Sequence, residues 1–198
     1  PLAPTFSDTR LLDVEPDDRL DELIFDLRLA DTTDRVAMAE VCRTVPTASS
    51  DDPYSSYFAD LADRMDNMNV AGHLTGSIDL VLRLDGPRFL VVDYKSNRAH
   101  PPGDPSWLDH YEEAPLREKM IKDDYPLQAF LYSVALHRYL RWRLPDYDPS
   151  AHLAGSAYLF LRGMVGPPGT DGRTTGVTCW RPPIEAILSA DRILAGDQ

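Results

Sequence analysis

The sequence has no stretch approaching 18 uninterrupted apolar residues; its longest, such as FLVV at 89–92, have the length of a strand. That excludes a transmembrane helix. It has only two cysteines, Cys42 and Cys179. Two thiols cannot build a four-cysteine zinc site or an iron–sulfur cluster, and thiols in a reducing compartment are the expected reading. Lysine is scarce: three, at positions 95, 119 and 122, against 17 arginines. The sequence also lacks the basic excess of a self-sufficient DNA binder. Its net charge is −12, and residues 1–68 hold 6 Lys and Arg against 16 Asp and Glu, so most of the acidity lies in the first third. If such a chain acts on nucleic acid, something else must bring the strand to it. The opening residues, PLAPTFSDTR, show no basic-then-apolar signal pattern and no Met, and a piece cut from a longer polypeptide is expected.

What is present suits one buried core. The 198 residues are 43% hydrophobic and 26% charged, ordinary for a globular domain. Residues 1–18, rich in Pro and Asp, read as a leader or linker, and 19–198 as a single domain with a variable segment at 30–70. RLDELIFDLRL (19–29) partly alternates polar and apolar side chains, as a half-buried strand does. A short helix is predicted over 31–43, capped by Thr33 or Asp34, then a loop over 44–56 and a helix over 56–65. Two strands follow, HLTGSIDLVLRL (73–84) and RFLVVDYK (88–95), with Asp85-Gly86-Pro87 between them as a hairpin turn. A long loop (97–113) leads to helices over 115–121 and 124–144. Strands over 155–163 and 176–180, separated by a Gly/Pro loop, and a helix over 183–196 complete the chain. The order implies a mixed α/β domain around a small sheet flanked by helices.

The hairpin carries the chemistry. If Leu84 pairs with Arg88, paired positions sum to 172, and Asp79 falls opposite Asp93. Opposite Cβ atoms in an antiparallel pair lie roughly 4.5–5.5 Å apart. Lys95, two residues past Asp93, points to the same face. Two carboxylates among Ile78, Leu80, Val91, Val92 and Tyr94 repel one another. A shared proton or a bound cation relieves that repulsion. A hard divalent ion held there activates water and neutralises charge on a phosphate, and a lysine beside it stabilises the transition state. Asp, Asp and Lys on one face therefore suit phosphodiester hydrolysis; the competing reading is a plain ion pair between Lys95 and either Asp.

A second pair, Gln128 and Tyr132, is stacked at i,i+4 on the long helix, with Tyr125 about one turn earlier. Such side chains can hydrogen-bond a phosphate or stack on a base, or can be ordinary boundary residues. His137, Arg138, Arg141 and Arg143 follow as the clearest local basic patch, either a strand contact or a solvated helix face.

The motifs GSIDLVLR (76–83), VVDYKSN (91–97), YPLQAFLYSVALHRYLRWRLPDY (125–147), AYLFLRGM (157–164) and GVTCWRP (176–182) occur in that order. Over roughly residues 70–195 the chain resembles the C-terminal nuclease domain of the exodeoxyribonuclease V beta subunit (RecB), in the PD-(D/E)XK nuclease superfamily. The resemblance implies a restriction-endonuclease-like core. It implies Asp79 and Asp93 as acidic metal ligands, the Tyr94 carbonyl as a further ligand, Lys95 as the catalytic lysine, and Gln128 and Tyr132 as the Gln-x-x-x-Tyr motif. It also implies Mg2+ (with Mn2+ or Ca2+ able to replace it in binding) and DNA strands fed by helicase motors. Partner subunits like RecC and RecD, a bacterial cytoplasm and work in double-strand-break processing are implied as well. Motors that deliver the strand would account for an acidic module. The family has one further ligand, a His on helices upstream of its first strand; here no His precedes His73, and loss by truncation is expected. His73 does not replace it in an unbroken strand, since six residues span about 20 Å. The other class of function is a nuclease-like module that binds without cutting; the joint presence of Asp79, Asp93, Lys95 and Gln128 argues against it.

Overall fold

Strands form in this chain where aliphatic and β-branched residues run together, and helices where apolar residues recur every three or four positions. The structure, a computed structural model, describes residues 10–29, 36–165 and 174–196. In chain order the elements are β1 (Arg19–Arg28), β2 (Val36–Ala37), α1 (Met38–Ala48), α2 (Ser55–Arg64), β3 (Asn69–Val70), β4 (His73–Leu84) and β5 (Arg88–Lys95). Then come α3 (Glu113–Lys122), α4 (Tyr125–Arg143), α5 (Pro149–His152), β6 (Leu153–Phe160), β7 (Val177–Trp180) and α6 (Ile184–Ala195). A five-stranded sheet has the order β1-β4-β5-β6-β7, and β2 and β3 form a separate antiparallel pair.

Two compact units divide the chain, one drawn from residues 10–23, 78–125 and 154–181, the other from 24–77, 126–153 and 182–196. In the first, β4 and β5 pair antiparallel from Leu84 with Arg88 to Leu80 with Val92, the register expected from the sequence. Leu80, Leu82, Leu84, Leu90 and Val92 of that hairpin pack with Ala154, Ala157, Leu159 and Val177 of β6 and β7. All eight residues of β6 are buried, as an apolar central strand requires. Leu11 and Val14, in the stretch read as a leader, pack against this cluster, and Asp18 pairs with Arg83.

Gly155 in β6 adopts φ +109°, and a Cβ there would lie 2.5 Å from the Trp180 carbonyl oxygen. Neither the backbone angle nor the facing backbone can yield cheaply. Gly155→Ala is therefore expected to cost about 3 kcal/mol, read as a lower denaturation midpoint at unchanged m-value. A midpoint at the wild-type position would contradict this packing.

In the second unit α1 packs against α2 and α6. Val41, Cys42 and Val45 of α1 and Phe58 of α2 are fully buried, and Phe58 meets Phe130 of α4 edge-on at 5.4 Å. This packing carries α1 to Ala48, through Pro46, where the sequence suggests a loop from 44. Pro46 lies in the last turn, where only one backbone donor is lost. Thr33 and Asp34, the expected caps, lie outside the described residues; the residue before α1 is Ala37, without a side-chain cap. The β6 strand ends at Phe160 rather than 163, because Leu161–Gly163 turn as a 3-10 helix and Gly163 closes on the Tyr111 ring. At the end of α6, Gly196 takes the left-handed cap at φ 80°, as its position suggests.

Candidate active site

The β4–β5 register, continued one step beyond its last paired residues, sets Asp79 opposite Asp93. The contact is direct: the Tyr94 backbone N–H donates to Asp79 Oδ2 at 2.9 Å. Lys95 Nζ stands 2.9 Å from Asp93 Oδ2. One hairpin thus gathers Asp79, Asp93, Tyr94 and Lys95, because alternation along a strand returns every second side chain to one face.

Their burial is unequal. Asp93 is 3% exposed, and the Lys95 side chain 13%. Burial pushes the Asp93 carboxyl above its ordinary value; the Lys95 ammonium opposes that shift and the Asp79 charge adds to it. Asp93 Oδ2 is buried, and the donor that faces it is the Lys95 ammonium at 2.9 Å. A buried anionic oxygen short of donors is what a hard cation satisfies, and two carboxylates with a backbone carbonyl are its preferred donor type. The residues present therefore fit a divalent ion. Among the described residues no group of three or more His, Cys, Asp or Glu stands in a metal-binding arrangement. The β4 strand runs without interruption from His73 through Gly76.

Gln128 and Tyr132 belong to the second unit. One turn of α4 separates them, and Gln128 Nε2 donates to the Tyr132 hydroxyl at 2.9 Å. The Phe25 ring meets Tyr132 edge-on at 5.9 Å, and Gly76 leaves room for it, since a Cβ there would fall 2.5 Å from Phe25 Cζ. The pair is thus held at a fixed spacing, half-buried, by the helix and by one aromatic neighbour.

The basic run that follows is only in part a solvated face. His137 is 3% exposed, and Arg138 and Arg141 both bond Asp191 of α6, Arg141 Nη1 at 3.0 Å. Arg138 also donates to the Asp191 and Arg28 carbonyl oxygens, each at 3.0 Å. Arg141 and Arg143 are both exposed, Arg141 reaching back to Asp191 from the surface and Arg143 lying over the Trp142 ring at 4.5 Å. Asp191 went unnoticed in the sequence because 50 residues separate it from Arg141. The Tyr158 ring, 5.2 Å from Lys95 Nζ, and Asn97, which bonds the Tyr125 hydroxyl, have no role in the sequence pattern; only Asn97 leaves a local signal, its two-residue spacing from Lys95.

The RecBCD enzyme subunit RecB of Mycobacterium tuberculosis is 42% identical over 207 residues, spanning 98% of this chain and 18% of that protein. The RecB subunit of Mycolicibacterium smegmatis is 38% identical over 204 residues, 98% of this chain and 19% of that protein. The RecB subunit of Escherichia coli is 39% identical over 133 residues, 65% of this chain and 10% of that protein. The chain therefore spans about a fifth of the length of its mycobacterial relatives. A profile of the PD-(D/E)XK nuclease superfamily matches residues 11–176, a span that begins before β1 and takes in the carboxylate hairpin, the lysine and the whole of α4. With most of its length matched and an α/β core around the five-stranded sheet, the chain belongs to the PD-(D/E)XK nuclease superfamily.

Proposed function

We propose that this chain is the nuclease domain of a RecBCD-type helicase–nuclease, a Mg2+-dependent exodeoxyribonuclease that hydrolyses DNA phosphodiester bonds during double-strand-break processing and recombinational repair. The observation that carries the reading is the buried Asp93 carboxylate, opposite Asp79 and short of hydrogen-bond donors, with Lys95 at 2.9 Å. The relatives' names supply the setting: a RecB subunit of a RecBCD enzyme. Partners like RecC and RecD, a single strand of DNA and a bacterial cytoplasm follow from that setting. No described helix is long and apolar enough to cross a membrane. The net charge of −12 suits a domain to which the strand is delivered by motors.

Asp79, Asp93 and the Tyr94 carbonyl would hold the ion, with Mn2+ or Ca2+ able to replace Mg2+ in binding. The bound ion supplies neutralising charge at the scissile phosphate and lowers the pKa of a water. The chain's own residues do the rest. The Tyr94 N–H holds Asp79 Oδ2 in place, so that this carboxylate does not swing away when the ion leaves. Lys95 donates hydrogen bonds to the attacking water or to the oxygen that gains charge as phosphorus becomes five-coordinate. Gln128 and Tyr132, locked to each other, offer an amide and a hydroxyl to the DNA backbone.

Calorimetric titration of Mg2+ and Mn2+, run beside cleavage of a labelled single-stranded oligonucleotide, tests the assignment of roles. Lys95→Ala is expected to keep metal affinity and to lose about 10²-fold or more in cleavage rate. Unchanged cleavage in that variant would remove Lys95 from the chemistry, and absence of metal binding in the parent would point to the binding-only module.

A further inference from the structure

The Lys95 ammonium is enclosed by aromatic rings as well as by a carboxylate. Nζ lies 4.0 Å from the centroid of the Tyr125 ring and 5.2 Å from that of Tyr158. The two rings stack on each other at 5.8 Å and 29°. A cation within about 6 Å of a ring face is attracted by the ring's quadrupole, and more so when desolvated. The Lys95 side chain is only 13% exposed.

Tyr125 is itself held from several sides. Asn97 Nδ2 donates to its hydroxyl at 3.1 Å and to Asp123 Oδ2 at 3.3 Å. Lys119 Nζ pairs with the same Asp123 oxygen at 2.7 Å. The Tyr158 hydroxyl donates to the Tyr125 carbonyl oxygen at 3.4 Å. The corner between α3 and α4 turns at Asp124, whose φ of 55° is left-handed, a conformation a non-glycine residue adopts only when its surroundings impose it. Two of the chain's three lysines thus meet in one arrangement, with Lys119 bracing the tyrosine that covers Lys95.

We propose that Tyr125, backed by Tyr158, is a positioning residue for Lys95: its ring face holds the ammonium against the Asp93 carboxylate, so that the flexible four-carbon stem presents Nζ in one place. The proposal rests on the reading of Lys95 as the catalytic lysine. An unrestrained lysine loses rotamer entropy each time it reaches the phosphate, whereas a lysine held beforehand has already lost it. The geometry asks for a ring rather than for a hydroxyl at position 125.

Three kinetic results and one spectroscopic result decide it. Tyr125→Leu is expected to lower kcat about tenfold while leaving KM and metal affinity near the parent's. Tyr125→Phe, which restores the ring alone, recovers most of that loss. In a Lys95→Ala background Tyr125→Leu costs nothing further, because the group it positions is gone. Independently of activity, the Lys95 ε-methylene protons of the unsubstituted chain should show an upfield ring-current shift in the NMR spectrum, retained in Tyr125→Phe and much reduced in Tyr125→Leu, where the more distant Tyr158 ring alone remains. Full additivity of the two substitutions, or unshifted ε protons in the unsubstituted chain, overturns the proposal. If Lys95→Ala cleaves as the parent does, the catalytic reading of Lys95 fails instead, and the ring-current shift still reports whether Tyr125 holds the ammonium. That shift is read without any variant, so a variant that fails to fold does not remove the test.

Discussion

Asp93→Ala is expected to abolish both metal binding and cleavage, with a rate loss of about 10³-fold or more. A metal at a phosphoryl centre contributes several kcal/mol, and each 1.36 kcal/mol is a factor of ten. The folded structure is expected to survive. The Asp93 carboxyl is raised above its ordinary value by burial, with the Asp79 charge adding to the shift and Lys95 opposing it. The net direction means that the ionised form is less comfortable in the fold than in water, even with its lysine. A raised carboxyl binds its proton more tightly in the folded chain than in the unfolded one. Stability from this group is therefore present in acid and lost as pH rises through the raised value. At neutral pH the metal-free parent bears that cost, and a divalent ion offsets it. Asp93→Asn should then melt at or above the metal-free parent near pH 7, and added Mg2+ should raise the Tm of the parent only. Thermal melts with and without Mg2+ read both effects. A variant that unfolds instead would make the Asp93–Lys95 pair a structural ion pair and remove the argument for a metal.

Asp79 differs, and the difference comes from one hydrogen bond. On the sequence alone, Asp79→Ala should also relieve repulsion and leave the fold intact or slightly more stable. The structure adds that Asp79 Oδ2 accepts the Tyr94 N–H at 2.9 Å. Loss of that acceptor costs roughly 1 kcal/mol. Asn at position 79 keeps an acceptor there and is the better substitution for separating metal loss from destabilisation.

The second large effect belongs to Asp191. Asp191→Ala is expected to lower stability by about 3 kcal/mol, and Tm by on the order of 10 °C for a chain of this size. This carboxylate is 5% exposed. Arg138 and Arg141 both bond it, and the buried His137 ring lies 3.5 Å away. Removing it strands the largely buried Arg138 guanidinium against α6, while Arg141, its side chain 58% exposed, keeps access to water. Burial alone would raise the Asp191 carboxyl, but the His137 ring beside it, the Arg138 hydrogen bond and the charges of Arg138 and Arg141 prevail and hold it well below the usual carboxylate range. The stability it supplies is therefore present above the unfolded value of about 3.9 and is lost as pH falls below it. The parent should lose stability steeply in acid, and Asp191→Asn should flatten that slope. Melting curves between pH 3 and 7 test this. A loss under 1 kcal/mol, or an unchanged acid slope, would mean the network is solvated.

Local rules made much of this legible. The β4–β5 hairpin was readable because side chains alternate with period two and Asp85-Gly86-Pro87 sets the turn. Those two facts determine the register and hence the juxtaposition of Asp79, Asp93 and Lys95. The spacing of Gln128 and Tyr132 was readable because i and i+4 meet on any helix. The extension of α1 through Pro46 was not, since it depends on buried contacts with α2 and α6 that outweigh one lost backbone bond.

The sequence by itself determined which residues of the hairpin share a face, which pair shares a helix turn, and that two carboxylates would crowd each other. Only the tertiary structure decided how those groups are surrounded. It buried Asp93 more deeply than its lysine and closed the Tyr125 and Tyr158 rings over Lys95. It also drew His137 and Arg138 of an apparently basic helix face inward onto Asp191. Contacts along a strand or a helix repeat at a known interval. Contacts across 30 to 50 residues, such as Tyr125 with Tyr158 and Arg141 with Asp191, depend on where the chain returns after its turns. Burial, dielectric and ion pairing arise from those returns, and no local period encodes them.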